Sequence, residues 1–367
     1  MKIFIGPNVG ISSILFFEMD PQWEIVEDTD QAEIFITIDN HNGNLAPVIA
    51  LYRPHQVLLV LAIFHVSESM GLKFYGDLKR TFKPVTEKVI VMHTNLQYQP
   101  DNMVYFDHMF DRQKLYCTDY DSGIALHSRI WTNSCSKEIY ELYPIKKLAY
   151  YNKFLAPMQV YDLGNISPDD HSRMFFRRKL KEILSQISNV HTNDDMKFLP
   201  DGLNADVLLI LNRTQTGGFW YPVSHAYYDS SFVSVYTESL VDSRLQWVSM
   251  LTEKTLDPMI RGNFVLPFGY YGLIRDICNY GFLLPDWIDY SYDLIEDNKD
   301  RFNAYVDSLR KLDRFTVNEL YDLYLKDKAI LEHNRALFFN KPYDYPNVHA
   351  RVEACIRTNE ATNWQTC

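Results

Sequence analysis

Residues 57–64 read VLLVLAIF, eight apolar side chains in a row. A surface helix would interrupt such a run with polar positions, and a half-exposed strand would alternate. An unbroken apolar stretch this short suits a strand covered on both faces, as in a parallel sheet. It is far shorter than the roughly 20 residues that span a bilayer. Comparable runs are KIFIG (2–6), AEIFITID (32–39), KVIVMHT (88–94) and NMVYFD (102–107). Strands separated by connecting segments predict a parallel α/β domain over residues 1–150.

A second domain is expected over residues 151–340. Its first helix lies in SPDDHSRMFFRRKLKEIL, with Ser167 as cap, Pro168 in the first turn, and an apolar stripe of Met174, Phe175, Leu180, Ile183 and Leu184. Within it, RRKLK (177–181) reads as a solvated face. ADVLLILN (205–212), SFVSVYTES (231–239) and NFVLPFG (263–269) are its candidate strands. YYGLIRDICNYGFLLPD then predicts a short helix with a strand-like end. Two longer helices follow: one over Asp293–Leu312, and one opened by a Thr316/Glu319 capping box and running to about Phe339. Residues 341–367 read as a less ordered tail. The expected architecture is α/β, two domains facing across a cleft, with a helical C-terminus. Ligands of open parallel sheets bind beyond the carboxyl ends of the strands.

Composition narrows the function. The chain has 367 residues, 47% hydrophobic and 23% charged, so it folds and is not disordered. Its net charge of −11 opposes a broad nucleic-acid-binding face. The 25 tyrosines supply either stacking surfaces or a Tyr-rich core. Cys117, Cys135, Cys278, Cys355 and Cys367 show no C-x-x-C spacing, so neither a zinc site nor a disulfide framework is expected. The opening MKIFIGPNVG lacks a long apolar leader. A soluble cytoplasmic protein without a membrane span is expected.

The richest stretch is LTEKTLDPMIRGNFVLPFG (251–269), with Thr252, Glu253 and Lys254 at a helix start. Thr252 is a good cap, Glu253 complements the helix dipole, and Gly262 ends the helix. The same residues also suit a nucleoside diphosphate. A helix N-terminus with a lysine attracts phosphate, and a carboxylate accepts two bonds from a ribose diol. The preceding strand delivers Tyr236, Thr237 and Glu238 to the same end.

FVSVYTES…LTEKTLDPMIRGNFVLPFG resembles the donor-binding segment of the α1,3-fucosyltransferase family. It is also similar to viral and bacterial glycosyltransferase-like proteins carrying T-E-K-T. The resemblance covers roughly residues 205–340. It implies a GT-B fold of two Rossmann-like domains and a nucleotide-sugar co-substrate such as a UDP- or GDP-sugar. It further implies that Glu253 holds the ribose, Lys254 meets the diphosphate, and Glu238 lies near the donor sugar or phosphate. The chain departs from the fucosyltransferases in NFVLPFGYYG, so another donor sugar is open.

Further donor-binding candidates are Thr252 and Tyr236, Arg173 in the early helix, and Arg213 in the loop NRTQTGGFWYPVSHAYYD. The general base of a transferase is expected from the first domain, with Glu68 and Asp39 foremost, and His41, His65, Asp107 and His108 also at strand ends. Asp119 and Asp121 have the Asp-x-Asp form of a metal site, but they do not follow a strong strand. No metal is expected. The acceptor is a glycan or glycoprotein, with a hydroxymethylated base of phage DNA as the alternative. A non-catalytic nucleotide- or sugar-binding module is the other class. A dehydrogenase is disfavoured, since GPNVG lacks the G-x-G-x-x-G spacing.

Overall fold

The computed structural model describes residues 1–7, 9, 17, 21–38, 50–53, 55–62, 89–93, 103–105, 145, 147, 152–156, 173–192, 228–238, 240–241, 251–342 and 345–359. The strands are β1 (Lys2–Ile5), β2 (Glu24–Ile25), β3 (Ile34–Ile38), β4 (Val57–Ala62), β5 (Val89–His93), β6 (Met103–Tyr105), β7 (Asn152–Ala156), β8 (Val190–Thr192), β9 (Ser231–Thr237) and β10 (Phe264–Phe268). The helices are α1 (Arg173–Leu184), α2 (Glu253–Arg261), α3 (Leu273–Asn279), α4 (Asn298–Asp313), α5 (Val317–Asn340) and α6 (Tyr345–Asn359). They divide into two compact units. One comprises Met1–Arg112, Leu245–Met250 and Pro342–Cys367, the other Gln113–Arg244 and Leu251–Lys341.

The first unit holds a parallel sheet in the order β2-β1-β3-β4-β5-β6. Its apolar runs are buried as the sequence requires: Ile3, Ile34, Ile36, Leu59 and Leu61 form one cluster with Val348, Val352 and Cys355 of α6. Those three α6 positions fall on one helical face. Residues 345–359 are therefore an ordered helix against this sheet, a correction to the expected tail.

The second unit holds a parallel sheet in the order β10-β9-β7-β8. Successive strand residues face opposite sides. Phe268 of β10 meets Phe176 of α1 and Phe302 and Tyr305 of α4 on one face. Phe232 of β9 meets Tyr321 and Tyr324 of α5 on the other.

Among the described residues β10 is an edge strand, and tyrosines bond its outward carbonyls. Tyr290 donates to the Val265 carbonyl at 2.8 Å and Tyr292 to the Pro267 carbonyl at 2.6 Å. A proline, lacking an N–H, is tolerated on such an edge. Among the described residues, many of the tyrosines serve this packed interior.

Two element boundaries differ from expectation. Asp297 caps α4 by accepting from the Lys299 and Asp300 amides, both at 2.9 Å, so the helix starts at Asn298. Ser291–Leu294 is a separate 3₁₀ turn. Residues 280–290 form no strand. Leu283 instead exchanges two 2.8 Å bonds with the Asn334 side-chain amide, which satisfies its backbone without a partner strand.

Candidate functional site at the carboxyl end of the second sheet

Chain direction locates the site. From β7 the chain moves one way to β8 and the other way to β9 and β10. The reversal lies between β7 and β9, and in doubly wound sheets ligands bind beyond the strand ends at such a point. α1 follows β7 and α2 follows β9, so both helices begin at that end of the sheet.

Three consecutive residues at the end of β9 are tied to both helices. Thr237 faces α1, where the Arg177 guanidinium donates to its hydroxyl at 2.9 Å and to its carbonyl at 3.5 Å. Tyr236 and Glu238 face α2. Tyr236 donates to the Thr255 hydroxyl at 2.9 Å. Thr255 donates to Glu238 Oε1 and Thr252 to Glu238 Oε2, each at 2.6 Å. Thr252 also accepts from the Lys254 amide at 3.3 Å as the helix cap. The far end of α2 closes as expected, with Gly262 left-handed at φ 87°.

Glu238 is 1% exposed and Tyr236 likewise 1%, so both lie inside the protein. Burial pushes the Tyr236 phenol well above its usual range, with the Glu238 charge adding to the effect. It therefore remains a proton donor. Arg177 is also buried, whereas Lys179 and Lys181 are exposed, which corrects the reading of RRKLK as a solvated face at that one position. Its spacing to Leu180 and Leu184 (three and seven residues) puts it on the inner stripe of α1. That signal was available in the sequence.

The neighbouring strand end is held by Arg301, which is wholly buried. Its N–H groups donate to the carbonyls of Gly269, Ile295, Glu296 and Val241 and to Asn298 Oδ1, at 2.7–3.1 Å. A Cβ at Gly269 would lie 2.5 Å from a Leu273 methyl and 3.3 Å from the Glu238 Cβ, so a side chain there requires Leu273 to shift. Beyond it, buried Asp293 accepts from the Ile274 and Arg275 amides at 3.0 and 3.5 Å. Burial raises its carboxyl to about 6 against those bonds.

At the opposite, amino end of the strands the buried Lys147 ammonium donates to the Tyr228 and Gly262 carbonyls, at 2.7 and 2.9 Å, and to Asn263 Oδ1. Burial pulls it down to about 7. Its three protons are all engaged in joining the starts of β9 and β10, so it is a structural tie at the amino end of the sheet.

The sequence candidates separate accordingly. Thr252, Tyr236 and Glu238 converge in one network. Lys254 is half-buried in the first turn of α2, one residue after Glu253, the first residue of the helix. Arg173 is the first described residue of α1, one turn before Arg177. Arg213, Glu68 and Asp39 lie outside the described residues, as do Asp119 and Asp121 and the helix start at Ser167. Thr255 was missed as a site residue, although its three-residue spacing from Thr252 places both on one side of a helix. Among the described residues, no group of three or more His, Cys, Asp or Glu could hold a metal ion, and no helix is long and apolar enough to cross a membrane.

No family model matches the chain, and no curated protein matches it. Among solved structures, an α1,3-fucosyltransferase is similar over 99% of this chain and 90% of that one, at 10% sequence identity and a TM-score of 0.46, a distant likeness.

Proposed function

We propose that the carboxyl end of the second sheet binds the diphosphate of a nucleotide sugar and that the protein is a glycosyltransferase. One observation carries the reading. α2 begins at the carboxyl end of β9, beside the point where the strand order reverses, with Thr252, Glu253 and Lys254 in its cap and first turn. Helix N-termini attract anions, and in this reading Lys254 and Arg173 supply the cations that meet the diphosphate. Glu253 accepts the ribose diol in this reading. The T-E-K resemblance noted in the sequence supports the same assignment.

Transfer is a direct displacement at the anomeric carbon. The acceptor hydroxyl loses its proton to a base, with Glu68 and Asp39 as candidates. The glycosidic bond forms as the bond to the diphosphate breaks. Lys254, Arg173 and the α2 N-terminus take up the charge that develops on the leaving group. In this reading metal is dispensable, and the acceptor is a glycan or glycoprotein hydroxyl.

A thermal-shift panel of UDP, GDP, ADP and CMP tests the reading. A ligand that binds only the native state stabilises it by about 2.7 kcal/mol at a hundredfold excess over Kd. A clear upward shift with one diphosphate is expected. The absence of a shift with any at millimolar concentration contradicts the proposal.

A further inference from the structure

We propose that Tyr236 and Thr255 are positioning residues that aim the N-terminus of α2, acting through Glu238. The inference rests on the reading that this N-terminus receives a diphosphate. The donor directions fix the network. The Tyr236 proton goes to the Thr255 hydroxyl, and the Thr255 proton goes to Glu238 Oε1. The Thr252 proton goes to Oε2, and the Thr252 oxygen takes the Lys254 amide. Each hydroxyl thus spends its single proton inward, and each carboxylate oxygen is bonded.

The two ends of this network belong to different elements. Tyr236 and Glu238 are alternate residues on one face of the strand end. Thr252 and Thr255 are one turn apart on α2, with Glu253 and Lys254 between them. The four side chains therefore clamp the first turn of the helix to the strand. All of Tyr236, Glu238, Thr252 and Thr255 are buried, the last at 0% exposure. Their work is to set where Glu253 and Lys254 begin, and ligand contact falls to those two. In this reading Tyr236, Thr252 and Glu238, which the sequence offered as donor-binding residues, act from behind the helix turn.

Three variants of the full chain test this: Thr255→Val, which keeps the shape and loses the hydroxyl; Thr255→Ser, which keeps the hydroxyl; and Tyr236→Phe. Two readouts are taken: amide hydrogen exchange without ligand, and calorimetric affinity for UDP and GDP. For T255V, exchange at residues 253–257 should rise at least about tenfold, and diphosphate affinity should fall about tenfold. Y236F should move both in the same direction by less, and T255S should stay close to wild type. Exchange that rises equally in β9 and β10, with affinity unchanged, would mean ordinary destabilisation and overturn the proposal. Unchanged exchange at 253–257 in T255V and Y236F also overturns it. If the wild type binds neither nucleotide, the diphosphate reading fails, and the exchange data still decide the clamp by themselves. If T255V does not fold, Y236F carries the same two criteria.

Discussion

The Tyr292 hydroxyl donates to the Pro267 carbonyl at 2.6 Å, and this bond stands where a further β-strand would otherwise pair with β10. Tyr292 is 1% exposed, so no bulk water can replace the lost donor. The expected cost of Tyr292→Phe is about 1–3 kcal/mol, that of a buried acceptor left unmade. Urea unfolding should show a lower midpoint with an unchanged slope. A midpoint equal to that of the wild type would mean that the edge carbonyl does not depend on the tyrosine.

Arg301 is expected to resist replacement by lysine. Five acceptors surround its guanidinium, whereas an ammonium has three protons and a different geometry. At least two of the five acceptors would lose their donors in Arg301→Lys, and three of the five are buried. A loss of about 3 kcal/mol or more is expected by chemical denaturation. A loss under about 1 kcal/mol would show that the charge alone suffices.

How far the sequence anticipated these features depends on where the signal lay. Apolar runs such as VLLVLAIF announced their strands because burial on both faces leaves no polar position. Caps were equally legible: Thr252, Gly262 and the Thr316/Glu319 box act locally and stand in the sequence within one turn of the element they end. Arg177 was misread because a run of cations looks solvated, while its partner Thr237 lies 60 residues away. The two-residue β2 carries too little pattern to read. Leu283 looked like a strand because its partner, the Asn334 amide, is 51 residues distant and a side chain. Glu238 and Thr252 were placed together correctly as to region. Their mutual hydrogen bonding depends on strand register and helix phase, which no local pattern encodes.

Asp293 gives a pH signature. Its folded-state carboxyl is raised to about 6 from an ordinary 3.8, chiefly by burial. Between these values the folded state holds a proton that the unfolded chain has lost. Its contribution to stability is therefore fully present at low pH and declines as pH rises from about 4 to about 6. Asp293→Asn keeps an acceptor for the Ile274 and Arg275 amides without the charge. The variant should gain on the wild type by on the order of 3 kcal/mol between pH 4 and pH 7. Stability–pH curves that stay parallel would contradict the assignment.

Metal dependence is expected to be absent. Donor hydrolysis or sugar transfer should proceed in EDTA at a rate close to that with added Mn²⁺. Complete loss in EDTA, restored by Mn²⁺, would reassign the chemistry and bring Asp119 and Asp121 back into consideration.

Glu253 and Lys254 are proposed to receive a nucleoside diphosphate, and a two-by-two calorimetric titration decides whether they do. Wild type and Glu253→Gln are each titrated with the tightest-binding diphosphate and with its 2′-deoxy analogue. A charge-assisted bond contributes roughly 1.5–3 kcal/mol, so either change alone should weaken binding about tenfold to a hundredfold. The two losses remove the same interaction and should not add. The variant should therefore discriminate little between ribose and deoxyribose. Full additivity of the two losses, or an affinity unchanged in Glu253→Gln, would show that Glu253 does not hold the ribose and would contradict the account of this site.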